Sequence, residues 1–319
     1  ASGMGAITSV LLQLCKSGDH IVSSRTIYGG TYAFMKNFLP GLKIDTSFVD
    51  ITDLAKVEAA INEHTKVLYC ETVSNPLLEI ADLKGLSELA KKHNLKLVVD
   101  NTFSPLTVSP KFLGADVTIH SLTKFINGSS DAVGGVVCAS SAFINDLKNV
   151  NNGACMLLGP TMDSLRAASI LKNLRTLHLR MKKHSENALY LAERWEKDGL
   201  NVKYPGLKSH LQHELFTGMM HPEYGYGGLI ALDVKTVEKA NELMEMMQHE
   251  NLGYLAVSLG FYKTLFSASG TSTSSEIPED EQKEMGLSPG LIRFSIGLDH
   301  DIERTYHKMR ECMIKTGVL

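Results

Sequence analysis

Short apolar runs alternate with amphipathic stretches along the first half of the chain. His20-Ile-Val-Ser-Ser24, Ile44 to Asp50, Lys66-Val-Leu-Tyr-Cys-Glu-Thr72, Lys96-Leu-Val-Val-Asp100 with Asn101 and Thr102, and Asp116 to His120 read as strands. Between them Ala6 to Cys15, Thr31 to Leu39, Asp53 to Asn62 and Leu83 to His93 carry helical spacing. Gly18, Pro40-Gly41 and Asn94 act as stops. This alternation predicts an α/β fold, a mainly parallel sheet with helices on both faces. A further apolar run, Ala132 to Cys138, follows the turn dipeptide Asn127-Gly128.

The pattern then changes. Ser141 to Val150 reads as a helix and Asn151-Asn-Gly153 as a turn. From Asp163 one long helical pattern runs to Gly199, with Arg175, His178, Arg180 and His184 on a solvated or interface face. Mixed strands and helices follow: Val202 to Gly206, Gly227 to Asp233, Val237 to His249 and a last helix from Asp301. The change predicts a second, smaller α+β domain, with residues 1–178 in the first domain and 179–319 in the second.

Composition narrows the class. The 319 residues leave room for two domains, and a net charge of −3 without a basic run argues against nucleic acid as a partner. No apolar stretch has membrane-spanning length, so no membrane partner is expected. Cys15, Cys70, Cys138, Cys155 and Cys312 are odd in number and scattered, mostly in apolar runs. They predict buried thiols in a reducing compartment, the cytoplasm, and neither a disulfide framework nor a zinc or other metal site. Ala1-Ser-Gly-Met-Gly5 opens directly into a helix, which predicts a fragment or processed chain and leaves a preceding targeting segment open.

Candidate chemistry gathers at strand ends. Lys124 follows the Asp116–His120 strand within Ser121-Leu-Thr-Lys124, where burial would lower its pKa and make a nucleophilic amine. If extended, the segment points the Ser121 and Thr123 hydroxyls to one side, where they suit a phosphate. Lysine plus phosphate suggests pyridoxal 5′-phosphate (PLP); a solvated lysine just past a strand is the plainer reading. Ser2 is a candidate N-cap, and Gly3 and Met4 in the first turn leave N–H groups for an anion, or simply start an ordinary helix. Tyr28 beside Gly29-Gly30 lies at another strand's end, either flat against a planar cofactor or as a turn tyrosine. Asn75 follows a third strand. Asp100 ends an apolar run, where a carboxylate needs a partner; a pyridinium N–H would serve, as would an N-cap or a distant cation. In parallel sheets ligands bind outside the carboxyl ends of the strands, so convergence of these loops on one rim favours PLP.

Taken in order, these stretches resemble the Cys/Met-metabolism family of PLP enzymes, of fold type I. The resemblance rests on Ser2-Gly-Met, Tyr28-Gly-Gly-Thr, Glu71-Thr-Val-Ser-Asn75-Pro, Val98-Val-Asp100-Asn-Thr, Ser121-Leu-Thr-Lys124-Phe, Leu177-His-Leu-Arg-Met181 with His184, Tyr204-Pro-Gly-Leu, Ser258-Leu-Gly and Ile292-Arg293-Phe-Ser-Ile-Gly297. It implies Lys124 as Schiff-base lysine and proton shuttle, and Asp100 as partner of the pyridine nitrogen. Tyr28 becomes the ring-stacking residue and acid on the leaving thiol. Gly3, Met4, Ser121 and Thr123 become the phosphate cup, and Asn75 reaches the phenolic oxygen. Arg293 with Ser258 becomes the substrate-carboxylate site, since a guanidinium fork suits a carboxylate.

The implied reaction is γ-elimination from a small sulfur amino acid in a homodimer or homotetramer. Within the family, Val257 stands where cystathionine-cleaving members carry a glutamate, and Tyr32-Ala33 stands where they carry asparagine-arginine. Both favour the methionine-cleaving branch, and Cys155 to Pro160 with the serine-rich Ser267 to Ser275 resembles its plant type. Gly30 and Asn151-Asn152 depart from the bacterial pattern of a cysteine and a lysine-aspartate pair. The family's N-terminal arm, which supplies a tyrosine and an arginine to the partner's phosphate site, is expected to be missing. Cystathionine γ-lyase and O-acylhomoserine sulfhydrylase are the alternatives within the family. An inactive or truncated PLP-binding paralogue, acting only as an oligomer subunit, is the alternative outside catalysis.

Overall fold

The computed structural model describes residues 1–268, 282 and 285–319. Six strands build the first sheet: β1 (His20–Ser24), β2 (Asp45–Val49), β3 (Thr65–Glu71), β4 (Lys96–Asp100), β5 (Val117–Ser121) and β6 (Gly135–Ala139). Their order is β2-β1-β3-β4-β5-β6. The first five are parallel, so their carboxyl ends share one rim; β6 runs antiparallel along β5.

Alternation along each strand sorts its side chains onto two faces. Ile21, Val67, Tyr69, Val98 and Ile119 pack with Ile7, Val10 and Leu11 of the helix Gly3–Leu14. Val22, Leu68, Leu97 and Val99 pack with Leu83, Leu86 and Ala90 of the helix Leu83–Lys92. Cover on both faces is why these strands read as continuous apolar runs. Caps fix where both helices begin: Ser2 accepts from the Gly5 N–H and Asp82 from the Gly85 N–H.

A second sheet comprises β7 (Asn201–Lys203), β8 (Leu229–Asp233), β9 (Tyr254–Leu255), β10 (Leu265–Ala268) and β11 (Leu291–Ser295), in the order β7-β8-β11-β10-β9. Its core holds Trp195, Leu232, Leu243, Phe266, Phe294 and Met309, contributed in part by the helices Val237–His249 and Ile302–Lys315. The helix Leu177–Lys197 joins the two cores, giving Leu177 and Met181 to the first and Ala188, Leu191 and Trp195 to the second.

Several expectations need correction. The long helix from Asp163 is two, Ser164–Leu174 and Leu177–Lys197, with the break at Arg175–Thr176. Carbonyls at the break find side-chain donors: Asn173 O accepts from Thr176 Oγ1 (3.1 Å) and Arg180 Nη2 (3.0 Å). Arg180 and His184 do not lie on a solvated face. Arg180 donates to the Phe125 and Ile126 carbonyls, and His184 is fully buried with Nδ1 on Ile296 O. Burial holds the His184 imidazole down at about 4, so it is neutral.

Thr31 to Leu39 is not one α-helix. An α-turn at Gly29–Ala33 passes into a π-turn at Phe34–Phe38 and a 3₁₀ turn at Leu39–Leu42, where Pro40 occupies the first turn and needs no N–H partner. Cys138 is exposed and Cys155 half-buried, so burial of the thiols extends only to Cys15, Cys70 and Cys312. The Ala132–Cys138 run enters the sheet only at Gly135. Of Ser267 to Ser275, residues from 269 on lie outside the described residues. Among the described residues no helix is long and apolar enough to cross a membrane.

Candidate active site

Loops from β1, β3, β4 and β5 meet at the shared rim around a cavity of about 480 Å³, closed by the second sheet. Lys124 lies in the turn that follows β5, with Asn127 N–H bonded to Leu122 O and Gly128 N–H to Lys124 O. Its Nζ donates to Ser258 Oγ at 3.1 Å. Burial, helped by the charge of Arg293, lowers the Lys124 pKa to about 8, which leaves far more neutral amine near neutrality than an exposed lysine has.

Asp100 ends β4 and is 8% exposed. Its Oδ1 accepts from Thr102 N (2.9 Å) and Thr102 Oγ1 (2.5 Å). Burial raises the Asp100 pKa, and the two Thr102 bonds oppose the rise. Thr102 Oγ1 also accepts from Ser121 N at 2.8 Å, tying the ends of β4 and β5 together.

The start of the helix Gly3–Leu14 lines the same cavity at Ser2, Gly3 and Met4. Because Ser2 caps the Gly5 N–H, the N–H groups of Gly3 and Met4 remain without an intrahelical acceptor. A Cβ on Gly3 would stand 2.9 Å from Ser121 Cβ, so only glycine lets the helix start approach β5 this closely. The Ser121 side chain lines the cavity; Thr123 lines it too, with Oγ1 accepting from Gly134 N (3.1 Å). They converge although the chain turns after Ser121 rather than staying extended.

Arg293 comes from β11 of the second sheet and is 2% exposed. Nη1 donates to Asn75 Oδ1 (3.0 Å) and Nη2 to Ser258 O (3.1 Å) and Val257 O (3.5 Å). Burial lowers its pKa to about 10, an effect that Glu71 opposes. Tyr28, Val133 and Val257 line the cavity while 48%, 49% and 57% exposed, so they form its mouth. A Cβ on Gly30 would meet the Tyr28 ring at 2.6 Å, so a side chain there would require the ring to shift.

All the residues expected at the site are therefore brought together. Two more belong with them, Glu71 and Thr102. Glu71 ends the apolar run of β3 just as Asp100 ends that of β4, and that parallel was the available signal. Thr102 had none beyond lying two residues past Asp100.

A half-buried lysine with a lowered pKa, a buried carboxylate and open helix N–H groups around one cavity at a parallel-sheet rim define a PLP enzyme of fold type I. The chain belongs to the family of Cys/Met metabolism PLP-dependent enzymes, whose model it matches over residues 1–305. It is 47% identical over 318 residues to methionine gamma-lyase of Arabidopsis thaliana, covering 99% of this chain and 72% of that protein. It is 39% identical to cystathionine gamma-lyase of Bacillus subtilis, covering 94% and 77%. A solved Campylobacter jejuni protein, assigned as an O-acetylhomoserine (thiol)-lyase and carrying N′-pyridoxyl-lysine-5′-monophosphate, superposes with a TM-score of 0.90 at 30% identity, covering 98% and 81%.

The residues present fit the cofactor. The open Gly3 and Met4 N–H groups and the glycine-only approach to Ser121 suit a phosphate. Asp100 takes both Thr102 bonds on Oδ1 and lines the cavity, which leaves Oδ2 available to a ring nitrogen.

Proposed function

We propose that the chain is a carbon–sulfur lyase that converts L-methionine and water to 2-oxobutanoate, methanethiol and ammonia by γ-elimination. The observation that carries this reading is the division of the cavity. Ionisable groups lie in its buried part, and the mouth presents Val133, Val257 and the Tyr28 ring, which offer no charge to a distal amino group. Relatives named for methionine and for cystathionine both occur, and the uncharged mouth favours methionine's methyl group over cystathionine's charged distal amino acid.

PLP supplies the electron sink that makes the substrate's α-proton acidic. Lys124 Nζ would hold the cofactor and, freed by the substrate, would take the α-proton and carry it onward. Asp100 would keep a proton on the ring nitrogen. Gly3 and Met4 N–H with the Ser121 and Thr123 hydroxyls would hold the phosphate, and Asn75 would face the phenolic oxygen. Arg293, with Ser258, anchors the substrate carboxylate, and the Tyr28 hydroxyl gives a proton to the departing thiolate.

The reading extends to organisation. Residues 1–178 form the cofactor domain and 179–319 the C-terminal domain; the core on the second sheet, built of residues from 188 on, supports this. The chain works as a homodimer or homotetramer. Met156, Leu157 and Leu158 on one helix and Leu165, Leu171 and Leu174 on the next are 43–82% exposed, an apolar display that monomers rarely leave uncovered. Five unpaired cysteines support a cytoplasmic setting.

The test is the ratio of kcat/KM for L-methionine to that for L-cystathionine on the full-length protein. It should favour methionine, and Val257→Glu should shift it towards cystathionine by about tenfold or more, since an unpaired ammonium is costly to desolvate. A wild-type ratio favouring cystathionine would overturn the substrate while leaving the lyase class standing.

A further inference from the structure

Glu71 has no part in the reaction as written above, yet it lines the cavity and lies opposite Asp100 in the β3–β4 register. It is 7% exposed. Its two oxygens serve two different loops: Oε1 accepts the Tyr28 N–H at 2.7 Å and Oε2 the Asn75 N–H at 3.1 Å. Asn75 in turn accepts from Arg293 through its side chain at 3.0 Å. One carboxylate thus connects the loop bearing the tyrosine at the mouth to the asparagine that holds the guanidinium.

We propose that Glu71 is a positioning residue that sets the separation between the Tyr28 hydroxyl and the Arg293 carboxylate anchor, and so couples substrate seating to thiol release. This rests on the roles given to Tyr28 and Arg293 above. The chemistry asks for a carboxylate. Both loops present N–H donors, and only two acceptor oxygens satisfy both. A glutamine keeps the volume but turns an NH₂ towards one of those donors, losing a bond and opposing two donors. Burial and the neighbouring Asp100 raise the Glu71 pKa, while the two N–H bonds and Arg293 favour the ionised form that the bridge needs. A second tie between the same loops, Thr26 Oγ1 to Glu79 Oε2 at 2.8 Å, makes no contact with Asn75 or Arg293 and serves as a control.

The experiment compares Glu71→Gln and Thr26→Val with wild type in two arms. In the cofactor-free protein, amide hydrogen exchange at Tyr28 and Asn75 is followed. Glu71→Gln should accelerate exchange at one or both by about tenfold, the effect of losing a charged acceptor. In the holoenzyme, α-proton exchange of L-methionine in deuterium oxide is compared with release of 2-oxobutanoate. Glu71→Gln should retain the cofactor's absorbance, raise KM by about tenfold and slow release more than α-proton exchange, because the Tyr28 hydroxyl acts at the departing thiolate, after the α-proton has been removed. Thr26→Val should leave both the KM and the ratio of the two rates near wild type.

Unchanged amide protection with unchanged KM and rate ratio overturns the proposal. So does a lowered melting temperature with an unaltered KM and rate ratio in the folded fraction, which would make Glu71 merely structural. If Glu71→Gln does not fold, Glu71→Asp keeps both acceptors on a shorter stem and must show the same KM and ratio shifts in weaker form; wild-type values in it overturn the proposal. If the wild-type holoenzyme releases no 2-oxobutanoate, the lyase reading fails instead, and the amide-exchange arm still decides whether Glu71 is the bridge.

Discussion

Lys124 and Asp100 are costly where they stand, since burial disfavours the charged form of each. That cost made both readable in the sequence, as ionisable groups closing apolar runs. Glu71 closes such a run as well, but its significance lies in bonds to Tyr28 and Asn75, and no spacing within one strand shows what two other loops will present to it. His184 and Arg180 were misread for a related reason: on a helix, a buried neutral imidazole has the same periodicity as a solvated one. Asp100→Asn tests the carboxylate's task. The amide is nearly isosteric and can keep the Thr102 bonds on its oxygen, so stability should move by no more than about 1 kcal/mol. Turnover should fall by about a hundredfold, as for removal of a positioned proton-holding group. Wild-type turnover with the cofactor bound would show that Asp100 is not the ring partner.

The central strands β3 and β4 were legible because parallel strands covered on both faces are largely apolar along their length, and the outer strands because turns or caps bound short β-branched or alternating runs. The break at Arg175–Thr176 was not, since neither residue is a helix breaker. What ends the first helix there is distant chain. The Arg180 guanidinium gathers the Asn173 carbonyl together with those of Phe125 and Ile126, in the turn directly after Lys124. Gly128 takes a positive φ of 71° in that turn, and a Cβ there would stand 2.5 Å from Arg180 Nη1. Arg180→Met should therefore leave the part-buried Phe125 and Ile126 carbonyls without that donor and lower unfolding stability by about 2–4 kcal/mol. Denaturant unfolding of the holoenzyme measures it, and a change within experimental error would show that the turn holds itself.

At the scale of the whole molecule, the site exists only where the two sheets meet. Arg293 reaches Asn75 across 218 residues of chain and Ser258 reaches Lys124 across 134. No pattern within either half shows that closure; only the family resemblance joined Ser258 and Arg293 to Lys124. The same limit applies to assembly, which leaves only a display of exposed leucines to read. If the proposed oligomer forms through these leucines, a Leu165→Asp, Leu171→Asp double variant should sediment as a smaller species than wild type, and an unchanged sedimentation coefficient would contradict an interface on this face. The central claim is that this one lysine, among all those in the chain, carries the cofactor. Reduction of the holoenzyme with borohydride followed by peptide mapping tests it most directly: the pyridoxyl label should fall on Lys124 alone, and a label on any other lysine would contradict the account.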